Sequence, residues 1–229
     1  MSNIFFTSDT HYGHRNIVRG VSNWENKDGC RDFDTLEEHN ETIITNLNEV
    51  VGQDDTLYHL GDWSFGGIQN IWNFRQRINC RNIHLILGNH DHHIRNCKPL
   101  PNVRKADFVQ SSFFNEEIHG LKMSFLEWDE CIDADDIFLS VQDVLELSID
   151  KKTHIFLSHY AHRVWNGSHK GVIHLYGHSH GSIPDYGKSM DVGVDTNNLK
   201  PYSLDEILSI MNKRDIEFPD HHDVKTNWR

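Results

Sequence analysis

The chain has 229 residues, with 22 Lys and Arg against 34 Asp and Glu, and a formal charge of −12 when its 18 histidines are neutral. That length allows one domain of generous size or at most two small ones, and so acidic a surface disfavours a long nucleic-acid substrate. Four cysteines, Cys30, Cys80, Cys97 and Cys131, show neither a CxxC pair nor a zinc spacing and read as free thiols, while the lack of a leader or of about 18 consecutive apolar residues implies a cytoplasmic protein with no membrane partner.

Ile4 to Phe6 reads as a strand that runs into Asp9 and His11. A helix is expected over residues 35–51, with Leu36, Ile43, Ile44, Leu47 and Val51 on one face and Thr35 with Glu38 as a capping box. The strand Thr56 to Leu60 leads into Gly61-Asp62, and a second amphipathic helix carrying Ile68, Ile71, Trp72, Arg75 and Ile78 starts after Gly66-Gly67. Ile83 to Leu87 leads into Gly88-Asn89-His90-Asp91. The connection over residues 99–137 carries Pro99 and Pro101, a hairpin at Asn115 to Gly120 and the acidic segment Glu127 to Asp136, and could shape a substrate pocket. A third helix is expected at 140–148, with Val141, Val144, Leu145 and Leu147 apolar. Two more strands follow: Thr153 to Leu157 into Ser158-His159, and Val172 to Tyr176 into Gly177-His178-Ser179-His180. Past Pro201, Ser203 and Glu206 match a capping box for a fourth helix, so a domain over residues 1–215 ends in a polar tail, 216–229. Strands alternating with helices define an α/β layered protein.

Each of the five strands thus ends in a residue that can bind a metal, and ligands just past strand ends converge on one rim of a sheet. Strand periodicity points Asp9 and His11 the same way, with Thr10 turned aside, and His178 and His180 repeat the arrangement around Ser179. Carboxylates, imidazoles and one carboxamide, without thiolate, suit manganese, iron, zinc, nickel or cobalt better than a structural zinc site. Six or seven such ligands are too many for one tetrahedral ion and fit two ions sharing a carboxylate, an arrangement that serves phosphoryl transfer. Singly, each Asp or His is an ordinary turn residue; seven in register with strand ends are not. His59, His84, His154 and His174 lie inside the strands and read as packed structural rings, and His92 and His93 as solvent-facing. His14 stands equally between a substrate contact and a cap.

Asp9-Thr10-His11, Gly61-Asp62, Gly88-Asn89-His90-Asp91, His159 and Gly177-His178-Ser179-His180 together resemble, in content and order, the calcineurin-like binuclear metallophosphoesterases. The opening Asp-Thr-His-Tyr-Gly-His and the closing Asp191-Val192-Gly193-Val194-Asp195 look like the small prokaryotic and phage-type members. The resemblance implies a four-layer α/β/β/α sandwich of two facing mixed sheets. It implies two divalent ions, manganese foremost. Asp9, His11 and His180 would hold the first, Asn89, His159 and His178 the second, with Asp62 shared between them. Hydrolysis of a phosphodiester or phosphomonoester by a metal-bridging hydroxide follows, with His90 stabilising or protonating at the phosphate and Asp91 orienting the His90 ring.

The substrate is a small phosphorylated molecule on this reading, with His14, Arg15 and Arg163 as candidate contacts. A nuclease acting on DNA or RNA ends is the alternative, and a catalytically silent metal-binding protein is a third reading. A protein Ser/Thr phosphatase fits less well, because Gly61-Asp62-Trp63-Ser64-Phe65-Gly66-Gly67 lacks the Arg of the Gly-Asp-x-Val-Asp-Arg-Gly block those enzymes carry.

Overall fold

Phe5, Leu57 and Ile83 stand side by side on three neighbouring parallel strands, Ile4–Thr7 (β1), Thr56–His59 (β2) and Asn82–Ile86 (β3). The computed structural model describes residues 2–96 and 137–217. One residue further along each strand, Phe6, Tyr58 and His84 form a stacked row on the opposite face, with ring centroids 5.4 and 4.9 Å apart. Both faces are therefore apolar, as expected of a parallel sheet covered on both sides. Ser140–Gln142 (β4) extends this sheet beside β3, and the short antiparallel Tyr202–Ser203 (β9) closes it beside β1.

A second sheet holds Val144–Ser148 (β5), His154–Ser158 (β6), Ile173–Tyr176 (β7) and Ser189–Asp191 (β8), in that order, with β5 antiparallel and the rest parallel. Phe6, Tyr58 and Ile86 of the first sheet share one core with Ile155, Leu157, Ile173, Leu175 and Met190 of the second. The two mixed sheets therefore face each other. Helices Leu36–Val50 (α1) and Ile68–Arg77 (α2) cover the other side of the first sheet, where Ile43, Leu47, Ile71 and Phe74 pack on Phe5, Leu57 and Leu85. The outer side of the second sheet carries Phe156 and His174, covered by Trp165 and His162 of the following loop. Helix Leu204–Met211 (α4) does not lie out there: its Ile207 and Met211 join the core between the sheets.

The helix ends follow the sequence. Thr35 and Ser203 each accept a bond from the backbone N–H three residues on, and Glu38 and Glu206 return the favour, two complete capping boxes. The third expected helix is absent. Residues 140–148 form β4 and β5, which diverge at Asp143 to join different sheets, Val141 beside Leu85 and Leu145 beside Leu157. An apolar spacing that fits a helix was overruled by two open strand edges. A short helix, His92–Asn96 (α3), follows the Gly-Asn-His-Asp block instead. The hairpin at Asn115 to Gly120, the acidic segment, Cys97, Cys131 and the tail beyond residue 217 lie outside the described residues. Cys30 and Cys80 are buried free thiols, and among the described residues no helix is long and apolar enough to cross a membrane.

Candidate metal centre

The loops after β1, β2, β3, β6 and β7 meet at one end of the paired sheets. Asp9 N–H donates to Gly61 O at 2.9 Å, His11 N–H to Asp62 O at 3.1 Å, and Gly177 N–H to His159 O at 2.9 Å, so the loops are tied to one another by their backbones. Asp9, His11, Asp62, His178 and His180 all adopt positive φ, between 48 and 67°. Non-glycine residues there carry strain, and such strain collects at functional sites. Asp9 and His11 lie beyond the end of β1, so left-handed turns rather than strand alternation bring their side chains together. Thr10 is turned aside, donating to Trp63 O and lying 2.9 Å from His59 Nε2. Gly88 and Gly177 are required by close approach: a Cβ at Gly88 would stand 2.2 Å from Asp62 Oδ1, and one at Gly177 2.5 Å from Asp9 Oδ2.

Two groups of ligand atoms result, Asp9 with His11 and His180, and Asp62 with His159 and His178, each within 4.8 Å of one another. His11 Nε2 lies 3.8 Å from Asp9 Oδ1 and 3.3 Å from His180 Nε2. Ligands bound at about 2.0–2.2 Å to one ion are spaced at about 3 to 4.4 Å, so these separations fit a shared cation. Asp62 links the groups: its Oδ2 is 3.6 Å from His11 Nε2 and 3.7 Å from His159 Nε2, while Oδ1 accepts from His90 N–H at 2.9 Å. Asn89 Oδ1, 3.0 Å from His159 Nε2, stands beside the second group.

Electrostatics favour a cation here. Asp9 is buried; its Oδ2 accepts from His178 N–H, but Oδ1 has no hydrogen-bond partner, and burial raises its pKa to about 6. A buried carboxylate oxygen without a donor is costly unless positive charge faces it. Burial, with Arg31 and neighbouring imidazoles, holds His11 well below its usual pKa, and burial also lowers His178. Neutral imidazoles are what metal ligation needs. Two tautomers are fixed from behind. His159 Nδ1–H donates to Leu60 O at 2.8 Å and His180 Nδ1 meets Asp195 Oδ2 at 2.6 Å, leaving each Nε2 to face its group. The residues present thus fit two cations.

Asp195 and Arg31 were not among the expected site residues. Arg31, buried, grips both oxygens of Asp195 at 2.8 Å and donates to the backbone carbonyls of Asp9 and Thr10. Asp195 lies inside the Asp-Val-Gly-Val-Asp block, a signal that could have marked it; Arg31 sits in a polar loop with none. Asp191, from the same block, accepts Gly181 N–H and Gly193 N–H and holds the His178–His180 loop in place.

His90 and His14 are brought to the same bowl. His90 Nε2 is 4.0 Å from Asp62 Oδ2, and the His14 ring lies 5.3 Å from His11 and 6.0 Å from His90. Burial lowers the His14 pKa to about 4. Asp91 does not orient the His90 ring as expected. Its two oxygens accept backbone N–H groups from Gly88, Asp62 and Trp63, so this buried carboxylate clamps two motif loops together. Arg15 is exposed, and Arg163 lies apart, its guanidinium 5.6 Å from the Tyr186 ring on a cavity that also includes Ile183 and Asp185. His59, His84, His154 and His174 each make local side-chain or backbone contacts and belong to neither ligand group.

No protein-family model matches the chain. The Gene 66 protein of Mycobacterium phage L5 is 28% identical over 230 residues, covering 93% of this chain and 95% of its own. The Gene 66 protein of Mycobacterium phage D29 is also 28% identical, covering 95% of this chain and 98% of its own. An uncharacterized protein of Methanocaldococcus jannaschii, MJ1445, is 40% identical over 62 residues, 27% of this chain and 31% of its own. A crystal structure of AQ665, a protein of unknown function from Aquifex aeolicus, superposes with a TM-score of 0.55 at 20% identity, covering 92% of this chain and 100% of that one. The chain shares that mixed α/β fold.

Proposed function

We propose that this chain is a metal-dependent phosphoesterase of the calcineurin-like binuclear class, built on two facing mixed sheets with helices packed outside the first, acting on a small phosphodiester or phosphomonoester. One observation carries the reading: the Asp62 carboxylate lies within 3.6 and 3.7 Å of imidazole nitrogens from two separate ligand groups. A single ion needs no such shared oxygen.

Asp9, His11 and His180 would hold one cation, Asn89, His159 and His178 the other, and Asp62 both. When bound there, divalent ions would supply positive charge for a phosphate and acidify water near neutral pH. The chain's own groups do the rest. His90, half-exposed at the mouth of the bowl with its backbone fixed to Asp62, can donate a proton to the departing oxygen or a hydrogen bond to the phosphate. Asp91 holds the Gly88 and Asp62 loops in register, and Asp195 keeps the His180 ring aimed inward.

Hydrolysis of bis(4-nitrophenyl) phosphate and 4-nitrophenyl phosphate by protein reconstituted with manganese, against chelated protein, tests this. Metal-dependent release of nitrophenolate is expected. Absence of turnover with every first-row divalent ion, in protein that binds two equivalents, would sink the enzymatic reading and favour a silent metal-binding protein.

A further inference from the structure

Among the described residues, three large aromatic side chains are exposed: Trp24 at 46%, Phe65 at 39% and Tyr160 at 49%. A scattered exposed ring needs no explanation. These three, however, all lie against imidazoles of the bowl, Trp24 and Phe65 against the non-ligand rings of His14 and His90, and Tyr160 against the ligand rings of His159 and His178. Phe65 lies 4.2 Å from His14 and 5.3 Å from His90, and Trp24 lies 5.9 Å from His14. Tyr160 is 5.0 Å from His159 and 4.7 Å from His178. His14 adjoins His11 of the first ligand group, whereas His159 and His178 belong to the second. The two ligand groups therefore have separate aromatic flanks, direct at His159 and His178 and reached through His14 at the first group.

The rings are carried on fixed backbone. Phe65 N–H donates to Tyr12 O at 2.8 Å, and Phe65 O accepts from Asn70 Nδ2 at 2.6 Å. Tyr160 O accepts from Ser158 Oγ at 2.8 Å, and Trp24 N–H donates to Ser22 Oγ at 3.2 Å. A cavity of about 370 Å³ opens beside Phe65 and His90. Exposed, pre-positioned rings are stacking platforms, and stacking accepts any planar base. A net charge of −12 opposes a polyanion but scarcely a ligand of one negative charge.

We propose that the substrate is a phosphodiester joining two nucleosides, one base on the Trp24–Phe65 flank and the other on Tyr160, with the phosphate between at the ligand groups. This rests on the phosphoesterase reading and adds the substrate class.

The test compares dithymidine monophosphate with glycerophosphoglycerol, a diester of similar leaving alcohols without rings, on the manganese-loaded full chain. A kcat/KM about 100-fold higher for the dinucleotide is expected, arising mainly in KM, at about tenfold per platform. Phe65→Leu and Tyr160→Leu should each shrink that ratio about tenfold, and Phe65→Tyr should restore it. A second readout needs no turnover: dithymidine monophosphate should quench tryptophan fluorescence of the metal-free protein, and Trp24→Phe should abolish the quench. Equal kcat/KM on both diesters without quenching overturns the proposal and leaves the esterase reading standing. Quenching without hydrolysis of any ester removes the esterase reading and keeps the base platforms. Salt-resistant preference for long single-stranded DNA over the dinucleotide also overturns it.

Discussion

Asp195 Oδ2 lies 2.6 Å from His180 Nδ1 while both Asp195 oxygens are gripped by the buried guanidinium of Arg31. Burial pushes the Asp195 pKa up, but the bonds from Arg31 and His180 outweigh it and hold the group well below the usual carboxylate range. The pair fixes the tautomer of His180, and Arg31 joins it to the Asp9 carbonyl, so one unit sets two members of the first ligand group. Asp195→Asn should weaken the first cation by about 10–100-fold, the usual cost of losing a carboxylate behind a ligating imidazole. Isothermal titration with manganese reads it directly; two unchanged affinities would show that His180 needs no support.

Arg31→Met should cost stability even without metal. It leaves the partly exposed Asp195 carboxylate without its guanidinium and the buried carbonyls of Asp9 and Thr10 without a donor, a loss of about 1–3 kcal/mol. Urea unfolding of chelated protein measures this, and a loss under about 1 kcal/mol would mean that water replaces the guanidinium.

Asp91→Asn separates a clamp from a catalytic orienter. The amide NH2 cannot accept the N–H bonds that one carboxylate oxygen takes from Asp62 and Gly88, so metal-free protein should lose about 1–3 kcal/mol. An unchanged melting temperature with reduced kcat would restore the role first expected, acting on the His90 ring.

Acid should destabilise the protein through its buried imidazoles, and His174 isolates one. Burial lowers its pKa from 6.5 to about 4, against the opposing bond it donates to Phe156 O. The folded value lies below the unfolded one, so as pH falls the unfolded chain takes the proton first. Stability is whole above pH 6.5 and declines as pH falls through about 4, by at most about 3 kcal/mol from this group. His174→Gln should flatten the stability profile across that window by up to one proton; superimposable slopes for variant and wild type would exclude the linkage.

What the sequence made legible was local. An apolar run followed directly by Asp, Asn or His places a ligand at a strand end, and all seven expected ligands lie beside the two groups. The direction of Asp9 and His11 came from the wrong cause, because positive φ beyond β1 cannot be read from alternation. Residues 140–148 misled because their apolar spacing fits a helix and two strands alike, and only the free edges of two sheets decide between them. Arg31 was invisible for a plainer reason: its partner Asp195 is 164 residues away. The outer aromatics were likewise silent, since exposure of Trp24, Phe65 or Tyr160 is a property of the folded surface.

His90→Ala should keep both cations and lose most turnover on esters with poor leaving groups, on the order of 10² to 10⁴ in kcat, with little loss on nitrophenyl esters. Equal losses on both would assign His90 to the phosphoryl oxygens instead. Loss of a cation would make it a ligand.

In the proposed site, the Asp62 carboxylate serves two ions. Metal content of the wild type and of Asp62→Asn, reconstituted with manganese and measured by elemental analysis after desalting, tests it most directly. The wild type should retain two equivalents and Asp62→Asn fewer than one, since a neutral amide cannot balance the pair. Two full equivalents in Asp62→Asn, or a single equivalent in the wild type, would contradict the shared site.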